Sequence, residues 1–350
     1  MSFTFLRGQR DSFQGARQAA GRGRSILLFF LNNGILIALL VELAIFSIAS
    51  PTIFFSTSNL ITILRLASLA GILVACYTCA LIAGQIDLST AYVGSLTAVI
   101  FAILFQIAAW PLAVAWIVAL VLAGAIGWFN SWLICRVGVP SLIATLAVGT
   151  LCYGIGFFLS DIYGRTQAIM LVRPPLRSVV NTAFFGVPIT IYLMFLVYLV
   201  MYALLNHTKV GAHLYALGGN PQAARLNGIP TTRLVRLIMV LTAVSSGMVS
   251  IFLSGRQLSA GPVVSALGAS QSGALAAPAS PLVAALFAGV SLSGGSGKVE
   301  RTLFGVLFLA VLTIGMAILN LPVFIRILVE GLAFVLAILL DSIRQQIEMR

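Results

Sequence analysis

Ten apolar runs, most of them close to twenty residues long, govern what this chain can fold into. They are Ser25 to Ile48, Leu60 to Ala83, Ser89 to Ala108, Leu112 to Cys135, Ser141 to Leu159, Val187 to Leu205, Val235 to Leu253, Pro281 to Leu292, Leu303 to Leu319 and Val323 to Leu340. About 20 apolar residues wound as a helix cross the hydrocarbon core of a bilayer, where every backbone polar group must be satisfied internally. The expected fold is an all-α polytopic membrane protein with about ten transmembrane helices. The eighth run is short and flanked by glycine, so it fits a simple straight helix least.

Composition points the same way. Hydrophobic residues make up 60% of the 350 and charged residues 8%, with only eight carboxylates, too few to clothe a water-facing surface. A net charge of +12 suggests nucleic acid, but the basic residues sit in short segments between apolar runs and no aromatics interleave with them, which excludes a base-stacking surface. Cys76, Cys79, Cys135 and Cys152 lie in or beside apolar runs, where thiols behave as small hydrophobes rather than as a redox pair.

Charge also sets orientation. The first run is too long for the apolar core of a cleaved signal peptide, so it reads as a retained span behind a basic tail, residues 1–24, held at an anionic leaflet. An organelle transit peptide shares that arginine-rich, acid-poor composition. With the amino terminus cytoplasmic, 14 basic residues fall inside and five outside: Arg165, Arg173, Arg177, Arg256 and Arg326. That asymmetry predicts two cytoplasmic termini and requires the eighth run to cross. The domain plan is then a tail, a transmembrane domain over 25–341 with an inner loop at 206–232, and a second tail at 342–350.

Catalytic chemistry has no motif here. There is no G-x-x-x-x-G-K-[ST] phosphate loop, no carboxylate pair at helical spacing and no metal-binding cluster. Gly294 to Lys298 lacks the phosphate-loop spacing and reads as a tight turn, and His207 and His213 read as interfacial polar residues. Asp87, in Gly84-Gln85-Ile86-Asp87-Leu88-Ser89, is the main anomaly, because an ionisable residue between apolar spans is costly. Gly84 breaks the preceding helix, and Asp87 or Ser89 is placed to cap the next one; direct contact with a transported ligand is the other reading. In the inner loop, Gly218, Gly219 and Asn220 are expected to form a turn. Pro221 then opens a short helix that ends at Gly228. Such a helix is too short to be stable alone and implies something to dock into.

Four separated strings carry a family resemblance over roughly Asn59 to Asp341: G-Q-I-D-L-S from Gly84, V-P-S-L-I-A-T-L from Val139, L-Y-A-L-G-G-N-P-Q-A-A-R-L-N-G-I from Leu214, and S-L-S-G-G-S-G from Ser291. The chain resembles the membrane subunits of bacterial ABC importers for ribose, galactose, xylose, arabinose and related sugars. The resemblance implies a permease subunit in the inner membrane that forms a pathway with a second permease, identical or paralogous. It implies a partner ATPase that binds ATP and Mg, so that this chain needs no cofactor, and an external sugar-binding protein. Tyr215, Gly218, Gly219, Asn220, Ala223, Ala224, Arg225 and Gly228 would engage the ATPase. Gly84, Gln85, Asp87, Ser89 and Arg256 would line the pathway or break a helix. Gln85 stands where the family usually has glycine, and the acidic stretch usual after Arg256 is missing, which points to a non-identical second permease. A permease for nucleosides or a sugar-derived signal, or a stand-alone secondary transporter, are the rival readings.

Overall fold

The computed structural model describes residues 34–164, 168–262 and 280–348. The basic tail, Arg165, most of the stretch after Arg256 and Arg350 lie outside the described residues.

Fourteen helices make up most of the described chain. Seven are long and apolar enough to cross a membrane. They are α3 (Thr57–Ile82), α4 (Thr90–Ala102, continued by a π-helical turn to Ile107), α5 (Leu112–Trp132, likewise continued to Val137), α6 (Ser141–Gly164), α8 (Ile189–His207), α11 (Thr231–Gln257) and α13 (Val299–Ile318). Each matches one of the expected runs. The first run is described only as α1 (Gly34–Ala49), followed by the short α2 (Pro51–Phe54). The last gives α14 (Val323–Glu348), which carries Arg326 and Glu330. The eighth does not form a spanning helix. Its α12 (Ser280–Phe287) covers about 12 Å and stops at Gly289, whose φ of 79° suits the left-handed turn after a helix.

Helices α3 and α11 form the centre. α11 lies against α3, α4 and α5, while α3 also contacts α8 and α13. Ala115, Ala119, Ala123 and Gly127 recur every four residues along α5 and are buried. Small residues at that spacing let two backbones approach closely, and a Cβ at Gly127 would strike the Met239 carbonyl of α11. The outward faces stay apolar, with Ile117 and Val121 on α5, Phe158 on α6, and Phe195 and Leu199 on α8 all exposed. Ser68, Thr78, Thr97, Thr145, Thr190 and Thr242 are buried. Lipid makes this distribution stable, because it solvates apolar side chains and offers polar ones no partner.

Chain direction distinguishes two ends. At one, β1 (Ile169–Met170) pairs antiparallel with β4 (Ser259–Ala260), and β2 (Ala183–Phe184) forms a hairpin with β3 (Val187–Pro188) beside α7 (Pro174–Val180). At the other lie α9 (Lys209–Gly219), α10 (Pro221–Leu226) and the turn at 291–298. Helices α8 and α11 run between them. Between Ala260 and Gly295 the chain passes from the first end to the second, with α12 as its described helical part.

Candidate functional site

The break between α3 and α4 is assembled from hydroxyl groups on neighbouring helices. Helix α3 ends at Gly84, φ 70°: the Gly84 amide bonds Leu81 and the Gln85 amide bonds Ala80, the paired bonds that close a helix end. The next three amides are taken by side chains, Ile86 by Ser141 Oγ (3.2 Å), Asp87 by the Tyr77 hydroxyl (3.3 Å) and Leu88 by Thr145 Oγ1 (3.1 Å). Non-helical backbone is tolerated here because protein hydroxyls accept from its free amides in place of water.

Asp87 is 1% exposed. Its Oδ1 accepts from the Ser89 amide (2.9 Å) and the Ser89 hydroxyl (2.5 Å), and its Oδ2 accepts from Thr242 Oγ1 (2.7 Å) on α11. Asn130 Nδ2, on α5, donates to Ser89 Oγ at 3.0 Å. Among the described residues no basic side chain pairs with the carboxyl. The expected N-cap is thus corrected in detail. Asp87 holds the amide of Ser89, the N-cap residue, rather than one inside α4, and Ser89 makes no capping bond because its hydroxyl is engaged with Asp87 and Asn130. The carboxylate joins the start of α4 to α11, and the Asp87 amide and Ser89 hydroxyl extend the network to Tyr77 of α3 and Asn130 of α5, a role for which Thr242 and Asn130 carry no local sequence signal.

The inner-loop segment gives a second candidate surface. Helix α10 begins at Pro221 with Asn220 as its cap, Oδ1 accepting from Gln222 N (3.1 Å) and Ala223 N (3.0 Å), and ends at Gly228, φ 74°. Gly218 and Gly219, expected in a turn, instead form the last residues of α9. The reason is tertiary: Gly218 is pressed against the backbone of residues 82 and 295, which a helical glycine fits and a side chain would not. Ala224 is 3% exposed and faces the chain's own interior, so it is not on a docking face; Arg225 is exposed and Leu226 is 89% exposed. Leu226 was not singled out in the sequence, although an apolar residue in a polar loop is a usable signal. Tyr215 is half-buried and donates to the Gly297 carbonyl at 2.8 Å. Burial, and then the Glu300 carboxylate, push its phenol above the usual value and keep it a donor.

The structure does not bring Arg256 to this region. It lies in the last turn of α11, fourteen residues beyond Thr242, which is about 21 Å along the helix. The half-buried Gln85 sits in the break beside Gly84.

Residues 59–339 match the family described as branched-chain amino acid transport system / permease component. The chain belongs to that family. Its role is therefore that of a transport component rather than an enzyme. This permease is 29% identical over 93% of its length to the ribose import permease protein RbsC of Escherichia coli K12, covering 98% of that protein. It is 29% identical to RbsC of Bacillus subtilis 168, over 88% of this chain and 92% of that one. The L-arabinose ABC transporter permease protein AraH of Azospirillum brasilense is 30% identical, over 93% of this permease and 92% of AraH. No solved structure matches. The family match begins just after the start of α3 and takes in both the Asp87 junction and α10.

Proposed function

We propose that this permease is the membrane-spanning subunit of an ATP-binding-cassette importer in the bacterial inner membrane, passing a sugar or related polyol handed over by an external binding protein. The observation that carries the reading is α10. It is six residues long, capped at both ends, and leaves Arg225 and Leu226 exposed. A helix too short to persist alone, bearing an exposed leucine beside a cation at the end of a membrane bundle, fits a socket on an ATPase. Relatives named for ribose and arabinose support the substrate class. ATP and Mg would be held by the ATPase, and a second permease, identical or paralogous, would complete the pathway.

In this arrangement the chain crosses ten times. Helices α1, α3, α4, α5, α6, α8, α11, α13 and α14 supply nine crossings and the segment ending in α12 the other. Both termini and α10 lie on the cytoplasmic side. The test is ATP hydrolysis by the purified complex with its binding protein, across pentoses, hexoses, nucleosides and branched-chain amino acids. Stimulation by a sugar is expected. Stimulation by a branched-chain amino acid alone would overturn the substrate class.

A further inference from the structure

Helix α10 hangs from α9 through Asn220, and α9 is held by an unusual contact. Three segments far apart in sequence meet backbone to backbone: the end of α3 at 82–84, the end of α9 at 218–219, and the turn at 294–295. The Gly295 amide donates to the Ile82 carbonyl at 2.8 Å. A Cβ on Gly294 would lie 2.7 Å from the Gly84 Cα and 3.1 Å from the Gly218 Cα, and one on Gly295 would lie 2.8 Å from the Gly219 Cα. A methyl group on Gly218 would strike the Ile82 carbonyl. No side chain separates the three segments. Side chains at an interface change rotamer and absorb small shifts; touching backbones have no such freedom.

Leu214 and Leu217 also seat α9 in the core by packing, which side chains can adjust. Tyr215, nearly one turn earlier on α9 than the glycines, adds a directional bond from its hydroxyl to the Gly297 carbonyl of the turn. On the far side of the joint, Ile82 and Gly84 lead into the break where Asp87 holds Thr242 of α11 and Ser89 holds Asn130 of α5. The path from α10 to the centre of the bundle is thus short and continuous.

We propose that the end of α9, the 294–297 turn and the end of α3 form one rigid joint through which movement of α10 reaches the α3–α4 break, with Tyr215 as the positioning residue that fixes the angle of α9. This rests on the reading of α10 as the ATPase-docking helix. Freed from Gly297, α9 can shift against the 294–297 turn as its Leu214 and Leu217 side chains repack, and α10 then moves with less displacement of α3.

Tyr215→Phe in the reconstituted complex tests it, because the ring keeps its packing and only the hydroxyl is lost. Expected is a complex yield near that of the unsubstituted protein and a fall of about five-fold or more in sugar taken up per ATP hydrolysed. Unchanged uptake per ATP overturns the joint, even if the melting temperature drops, since a packing role would lower stability alone. Should Tyr215→Phe fail to assemble, hydrogen exchange on the unsubstituted complex decides. Segments 82–85, 215–219 and 291–297 are expected to change together between nucleotide-free and ATP-bound forms, and a change confined to 215–226 overturns the joint. Leu226→Glu separates the two levels: undiminished ATPase association in that variant defeats the docking reading itself.

Discussion

At the scale of single residues, Asp87 shows how a buried carboxylate is made tolerable without a cation. All three of its contacts are donors, so an ionised group fits the site, and the shape of the site fixes what a substitution does. In Asp87→Asn, Oδ1 keeps both Ser89 bonds. The new amide faces Thr242 Oγ1, which lies 3.1 Å from the Met239 carbonyl and is able to donate there instead. The expected loss is the difference between charge-assisted and neutral hydrogen bonds, about 1 kcal/mol. Asp87→Leu leaves the Ser89 amide and hydroxyl without their acceptor, at about 1–3 kcal/mol for each buried group. Complex yield and uptake should therefore stay close to normal for Asn and fall sharply for Leu. Equal loss of uptake in both, with normal assembly, would mean that the charge itself takes part in transport.

At the scale of elements, what was legible in the sequence is what depends on near neighbours. The Asn220 cap, Pro221 at the first position of α10 and the glycine stops at Gly84 and Gly228 all rest on bonds between residues at most five apart, so residue type alone announces them. The partners of Asp87 were not legible. Thr242 lies 155 residues away, and Asn130 lies 41 residues from Ser89. A hydroxyl or amide on an apolar helix reads the same whether it bonds its own backbone or a neighbour. Gly218 and Gly219 were misplaced for the same reason: a turn is a local cause of glycine, a backbone contact with 82 and 295 a distant one. The burial of Ala224 likewise rules it out as a docking probe, since Ala224→Trp would collide with its own chain. Leu226→Glu is the informative change, placing a charge on the most exposed apolar side chain of α10. If Leu226 is a principal anchor, ATPase association should weaken by about 2 kcal/mol, or some thirty-fold, with membrane insertion unchanged. A pull-down titration with unaltered affinity would move the docking surface elsewhere.

At the scale of the whole molecule, helix direction adds to the charge argument. Helix α1 leads through α2 into α3, and its Phe46 packs against Gly315 near the end of α13, far from the α9 and α10 end. Its beginning at Gly34 therefore points toward that end. Helix α14 starts where α13 stops and reaches α12, which leads into the turn beside α9, so it returns the same way. Both described ends of the chain thus converge on the side that carries α10, and the basic residues expected inside, Lys209, Arg225, Arg233, Lys298 and Arg301, belong to that side. Attraction of lysine and arginine to the cytoplasmic face is the physical ground for the proposed orientation. Arg17→Cys and Gln345→Cys should not react with a membrane-impermeant maleimide applied to intact cells, and should react once the membrane is opened. The unsubstituted protein is the control, as Cys76, Cys79 and Cys152 are buried and Cys135 is half-buried. Labelling of either position from outside would break the link between basic charge and sidedness. Labelling of both would invert the molecule and put α10 on the wrong face to meet an ATPase.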